Sequence, residues 1–187
     1  MNQLQDLYQK AIRFAGEKHA NQQVPGTTAN YLLHLSNVAM EVMVAYQHDP
    51  VFDVQYAVQL ALLHDTLEDT DCDLDELSEM FGEAIAEGVA ALTKDDRIEE
   101  KEEKMKDSLQ RILQLTKEVG IVKLADRITN LQPPPSHWST EKCSRYKQEA
   151  KLILNRLGHC NVYLSERLQK KLAVYPVTRN GKMHTQD

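Results

Sequence analysis

Only three cysteines occur, Cys72, Cys143 and Cys160, and no two of them form a C-x-x-C pair. So sparse and odd a set excludes a disulfide-framed secreted fold and fits reduced thiols in a cytoplasm. Long apolar runs are also missing. No stretch approaches the ~18 residues of a membrane-crossing helix, and the opening MNQLQDLYQK has no apolar core of signal length. The expectation is a cytoplasmic protein with no membrane partner. Nor is there a block of Lys and Arg free of acidic neighbours. With 22 basic against 28 acidic residues, a net charge of -6 and a pI near 5.7, the chain lacks the broad basic face that nucleic acid demands. A small anionic substrate stays open, provided a cation shields it locally. Hairpin signals, internal repeats and strong strand alternation are absent too, which argues against a β-rich fold.

What is present is helical periodicity in a chain of 187 residues with 42% hydrophobic content, enough for one sizeable core. Leu4, Leu7, Tyr8, Ala11, Ile12 and Ala15 recur at helical spacing, and Pro25 and Gly26 mark the loop at 21–29 that follows. A second stripe runs through Tyr31, Leu35, Val38, Val42, Met43 and Tyr46, and a third helix is expected from about Val54 through an acidic motif. Asp73 and Glu76 form a capping box for a short helix ending at Gly82, and another spans about 83–92. The segment DDRIEEKEEKMKD at 95–107 reads as a solvated loop and helix face with i, i+4 pairs. Ile121, Leu124, Ala125, Ile128 and Leu131 make a further stripe, although its Ile-Val start also suits a strand, and Pro133, Pro134 and Pro135 end it. Two more helices are predicted at about 140–157 and 161–174. The expected architecture is all-α, a single helical bundle of about 8 to 10 helices over 1–175, with a polar, fraying tail at 176–187.

The nine residues Leu62-Leu63-His64-Asp65-Thr66-Leu67-Glu68-Asp69-Thr70 set one imidazole beside three carboxylates straight after an apolar stretch. Unpaired charges there are costly. On one continuous helix Glu68 lies above His64 and Asp69 above Asp65, while the His-Asp pair converges on a cation. Two more candidate ligands sit on apolar helices. His34, in Tyr31-Leu32-Leu33-His34-Leu35, points inward from a helix end or is a satisfied core histidine; Asp126, in VKLADRITN, is a ligand or the buried partner of Lys123 or Arg127. Two imidazoles and two carboxylates make a mixed nitrogen and oxygen site, which suits one Mn²⁺, Fe²⁺, Ni²⁺ or Zn²⁺ per chain, with Mn²⁺ the first choice, better than Ca²⁺. Such a metal lowers the pKa of a bound water and acts as a Lewis acid. Glu68 is placed to take a proton from the attacking water, and Asp69 to orient that water or protonate the leaving oxygen; a supporting role for both, fixing His64, is the duller reading. Asn130, one turn after Asp126, can reach a phosphate or sugar hydroxyl or can cap a helix. Lys94, Lys123 and Arg127 can balance phosphate charge.

These residues resemble the HD superfamily of metal-dependent phosphohydrolases, and within it the RelA/SpoT-type alarmone hydrolases, close in length to the small Mesh1-like members. LLHDTLEDT and VKLADRITNL carry the resemblance, with Lys18-His19-Ala20-Asn21-Gln22, Gly88-Val89, Leu92-Thr93-Lys94 and the segment from Trp138-Ser139 through Tyr146 and Ala150 around them. The resemblance covers roughly 3–172. It implies that His34, His64, Asp65 and Asp126 ligate the metal, that Glu68 and Asp69 are the catalytic pair, and that Asn130 and Tyr146 contact substrate. It implies guanosine 3′,5′-bis(diphosphate) 3′-pyrophosphohydrolase activity. The alternatives are another nucleotide substrate, such as a dinucleotide phosphate or a nucleoside monophosphate, and a non-catalytic nucleotide sensor. One departure stands out. Pro25 and Gly26 occupy the loop position where the family carries a basic pair that packs on the base, so weak base discrimination is expected unless Lys18 or His19 compensates.

Overall fold

The apolar spacings resolve into ten α-helices and one short 3₁₀ turn in a computed structural model whose described residues are 3–176. Apart from Pro176, the tail expected at 176–187 lies outside the described residues. In chain order the helices are α1 (Leu4–Lys18), α2 (Leu32–His48), α3 (Val54–Leu63), α4 (Thr66–Asp69), α5 (Leu74–Phe81), α6 (Glu83–Leu92), α7 (Lys101–Ile112), α8 (Lys117–Asn130), α9 (Thr140–Leu157) and α10 (Val162–Val174). Their starts are chemically marked. Asp53, Asp73, Ser139 and Asn161 each accept a backbone N–H in the first turn of α3, α5, α9 and α10, which satisfies donors that a helix start leaves free. Gly82, at φ +90°, lets the chain turn sharply from α5 into α6.

The core is built on α3 and α8. α3 packs against α1, α2, α6 and α8, and α8 also meets α2, α6, α9 and α10. Leu60, Leu62, Leu63, Leu124 and Ile128 are fully buried there, each stabilising the fold by about 2 kcal/mol in transfer terms. The strand reading of the Ile121-Val122 start is not realised, since both lie inside α8. Where α6 crosses α3, a Cβ on Gly88 would come within 2.6 Å of a Leu60 methyl and 2.8 Å of the Tyr56 hydroxyl. Only glycine fits that approach. In the charged segment, Lys106 pairs with Glu102 and Glu103 as its spacing predicts, while Met105, Leu109 and Ile112 on the opposite face of α7 bury into the core.

Two elements differ from the sequence expectation. The helix carrying the acidic motif is not continuous: α3 stops at Leu63 and α4 is a separate single turn. Local side chains cause the break. His64 Nδ1 donates to the Ala61 carbonyl at 2.8 Å and the Thr66 hydroxyl to the Leu63 carbonyl at 2.7 Å, so acceptors that would continue the helix are already engaged. The loop at 19–31 holds a small hairpin-like bridge between Gln23 and Asn30, turning at Gly26 with φ +80°.

Candidate metal centre and active site

Three core helices deliver the candidate ligands to one point. His34 comes from the first turn of α2, His64 from the end of α3 and Asp126 from the middle of α8, and their ligand atoms all lie within 4.8 Å of one another. The two imidazole Nε2 atoms face each other at 3.3 Å. Asp65 joins from the break after α3, its Oδ2 lying 3.0 Å from His64 Nε2 and 3.5 Å from His34 Nε2. Asp126 Oδ1 stands 3.5 and 3.7 Å from the same two atoms. Because His64 spends its Nδ1 proton on the Ala61 carbonyl, Nε2 is the atom whose lone pair is free for a metal once the ring is neutral.

The electrostatics show what this cluster would hold. Burial alone would lower both histidines, yet the carboxylates of Asp65 and Asp126 outweigh it, raising His34 and pushing His64 up to about 10. Burial would likewise raise the two aspartates, but the imidazoles for Asp65, and Lys123 and the imidazoles for Asp126, hold both well below the usual carboxylate range. Two carboxylates and two facing nitrogens, three of the four side chains buried and Asp65 half-buried, form a donor set that calls for positive charge. A divalent cation fits it.

Neighbouring groups hold the donors still. The Tyr31 hydroxyl donates to Asp65 Oδ2 at 2.5 Å, and burial together with the charge on Asp65 keeps it a phenol. Lys123 Nζ, itself buried, reaches Asp126 Oδ2 at 3.3 Å, and the Asn130 amide donates to Asp126 Oδ1. Lys123 is therefore the aspartate's buried ion partner as well as its neighbour. Arg127 turns the other way, 3.5 Å from Glu149 and 4.5 Å from the Tyr146 ring.

Across the break Asp69 keeps the helical step from Asp65, its N–H donating to the Asp65 carbonyl at 2.9 Å, and polar partners hold both acidic side chains. Glu68 accepts from Lys94 twice, from Nζ at 2.6 Å and from the backbone N–H at 3.1 Å. Asp69 accepts from the Gln22 amide at 2.8 Å. Both carboxylates remain at the exposed edge of the cluster.

Beside His34 a cleft of about 450 Å³ opens, lined by Pro25, Asn130, Pro133, Pro134, Trp138 and Tyr146 among others. Apart from His34 its lining carries no titrating cation or carboxylate. A wider trough of about 800 Å³ lies across Lys18, Gln22, Asp69, Asp71 and Glu76; it is open and polar, and it lacks the aromatic walls that hold a nucleoside. Asn130 and Tyr146 thus meet at one cleft next to the cluster, while Lys94 stands at the Glu68 edge. Lys18 and His19 do not join that cleft. Lys18 is tied to Asp71 and Glu76 at 3.2 and 2.8 Å, and His19 is only 1% exposed, bonded to Gln22 and stacked on Tyr31. Sequence reasoning missed Gln22 and Tyr31 as supports, and Trp138 and the three prolines as cleft walls. In the sequence the prolines signal only the end of a helix.

Comparison with known proteins agrees with this geometry. Residues 11–160 match the model of the HD domain. The guanosine-3′,5′-bis(diphosphate) 3′-pyrophosphohydrolase MESH1 of Danio rerio is 31% identical over 166 residues, covering 86% of this chain and 89% of that protein. A guanosine-3′,5′-bis(diphosphate) 3′-pyrophosphohydrolase of Aquifex aeolicus is 36% identical across 81% of this chain, which spans only 21% of that longer protein. The solved structure of a metazoan SpoT ortholog, described as hydrolysing ppGpp, superposes with a TM-score of 0.78 at 24% identity, covering 92% of this chain and 97% of the other. That last likeness speaks for the fold.

Proposed function

The chain belongs to the HD-domain family, and from that premise we propose that it is a metal-dependent phosphohydrolase that cleaves guanosine 3′,5′-bis(diphosphate) to guanosine diphosphate and pyrophosphate. The single observation that carries the reading is the cluster of buried His34, His64 and Asp126 with half-buried Asp65, opening beside a nucleoside-sized cleft. Those four residues would hold one divalent cation, with Mn²⁺ proposed first from the mixed imidazole and carboxylate donors. When bound, such a cation lowers the pKa of water and polarises a phosphoryl oxygen.

The remaining steps fall to the chain's own side chains. The cleft takes the nucleoside against Trp138, Tyr146 and the prolines, and Asn130, one turn beyond Asp126, hydrogen-bonds a phosphate or ribose oxygen. Burial pushes the Tyr146 hydroxyl up to about 12 against the pull of Arg127, so Tyr146 meets the ligand as a neutral ring and donor. Glu68 takes the proton of the attacking water as the new P–O bond forms. Asp69 aligns that water or returns a proton to the departing ribose 3′ oxygen. Lys94, beside Glu68, offsets the phosphate charge. We place this activity in one domain ending near 175 and in the cytoplasm. The free cysteines support that compartment, and no helix among the described residues is long and apolar enough to cross a membrane.

A nucleotide panel tests the proposal. Guanosine 3′,5′-bis(diphosphate), a dinucleotide phosphate and a nucleoside monophosphate are each incubated with the protein and Mn²⁺. The reading requires the first to turn over fastest; a faster second or third reassigns the substrate, and binding without turnover makes the chain a sensor.

A further inference from the structure

We infer that Gln22 is a positioning residue that fixes the carboxylate of Asp69, and that the buried His19 locks Gln22 in the orientation this requires. The inference rests on the proposed hydrolysis, because it gives Asp69 a part in that reaction. It also explains the Lys18-His19-Ala20-Asn21-Gln22 segment, which the cleft and the metal cluster leave without a role.

Asp69 closes a helix of a single turn and its side chain is exposed. A carboxylate so placed has free rotamers, whereas orienting water demands one of them. Gln22 supplies the restraint. Its Nε2 donates to Asp69 Oδ2 at 2.8 Å, and its Oε1 sits 2.5 Å from His19 Nδ1. The direction of both bonds follows from the partners. An ionised carboxylate only accepts, so the amide NH₂ must face Asp69; the amide oxygen is then left to His19, which must carry its proton on Nδ1. Reversing the amide would break both bonds at once.

His19 is built to hold that arrangement. Its ring is 1% exposed and stacks on Tyr31 with centroids 5.1 Å apart. Nε2 is buried without a partner among the described residues, which a bare ring nitrogen tolerates better than an N–H does. The backbone of Gln22 is pinned on both sides, its N–H donating to the His19 carbonyl at 3.0 Å and its carbonyl accepting from Tyr31 N–H at 3.0 Å. Tyr31 in turn donates to Asp65. One loop thus steadies Asp69 through Gln22 and Asp65 through Tyr31.

A double-mutant cycle on the full chain with Mn²⁺ tests this, using Gln22→Met, Asp69→Asn and the pair, with kcat, KM and bound metal measured for guanosine 3′,5′-bis(diphosphate). The expected result is a kcat lower by about tenfold in Gln22→Met, KM and metal content unchanged, and no further loss of kcat when Gln22→Met is added to Asp69→Asn. His19→Phe keeps the stacked ring but removes the Nδ1 donor, and it is expected to lower kcat in the same direction without an effect in the Asp69→Asn background. It serves in place of Gln22→Met if that protein does not fold. Multiplying effects in the double variant, or a raised KM with kcat intact, would overturn the positioning role while leaving the reaction standing. A wild-type protein that releases no pyrophosphate overturns the reaction itself and this inference with it.

Discussion

Asp126 divides its two oxygens between opposite tasks, Oδ1 facing the imidazoles and Asn130, Oδ2 facing the ammonium of Lys123. Removing that carboxylate takes a donor from the cluster and strands a buried cation. Asp126→Ala is therefore expected to purify with little or no transition metal, against about one equivalent in the wild type, as read by elemental analysis of protein prepared without chelator. Unchanged metal content would exclude Asp126 as a ligand. Glu68 makes the complementary case. It touches Lys94 and none of the clustered nitrogens, so Glu68→Gln is expected to keep its metal and lose at least about 10²-fold in turnover, the usual worth of a positioned base. Loss of metal in that variant would make Glu68 a ligand. At this scale His34, His64, Asp65 and Asp126 were legible in the sequence because ionisable groups among apolar neighbours need a reason. Gln22 and Tyr31 were not, because a polar residue in a loop gives no sign of which distant carboxylate it will meet.

Among the elements, the start of α3 near Val54 was legible, and so was α8 from its apolar stripe and the prolines that end it, although its Ile-Val start also suited a strand. The break between α3 and α4 was not. Periodicity registers the direction of side chains, whereas this break depends on His64 and Thr66 bonding to nearby carbonyls. The short helix beyond it presents Glu68 to Lys94 and Asp69 to Gln22. The crossing of α6 over α3 gives a sharp test of packing. Gly88→Ala places a methyl 2.6 Å from Leu60, and overpacking of this kind costs about 1–3 kcal/mol, so a lowered melting temperature is expected. An unchanged one would mean that α6 lies farther from α3. The loop after α1 carries a prediction of its own. Pro25 joins Pro133, Pro134 and Pro135 in an uncharged cleft wall, and guanine preference of a hundredfold would need about 2.7 kcal/mol of base-specific contact. Guanosine and adenosine 3′,5′-bis(diphosphates) are thus expected to differ by less than about tenfold in kcat/KM. A hundredfold preference for guanine would show that another residue reads the base.

For the molecule as a whole, the cation and the fold are one problem. The candidate ligands come from the first turn of α2, the end of α3 and the middle of α8, so a bound cation ties α2 to the two helices on which the core is built. Because that site exists only in the folded chain, chelation is expected to lower the melting temperature and added Mn²⁺ to restore it. No shift on chelation would mean that the cluster holds no ion in solution. Product analysis decides whether pyrophosphate release depends on the metal. With guanosine 3′,5′-bis(diphosphate) and Mn²⁺, the protein is predicted to form guanosine diphosphate and pyrophosphate in equal amounts, and to form neither once a chelator is added. Orthophosphate in place of pyrophosphate, or turnover undiminished by the chelator, would contradict the account.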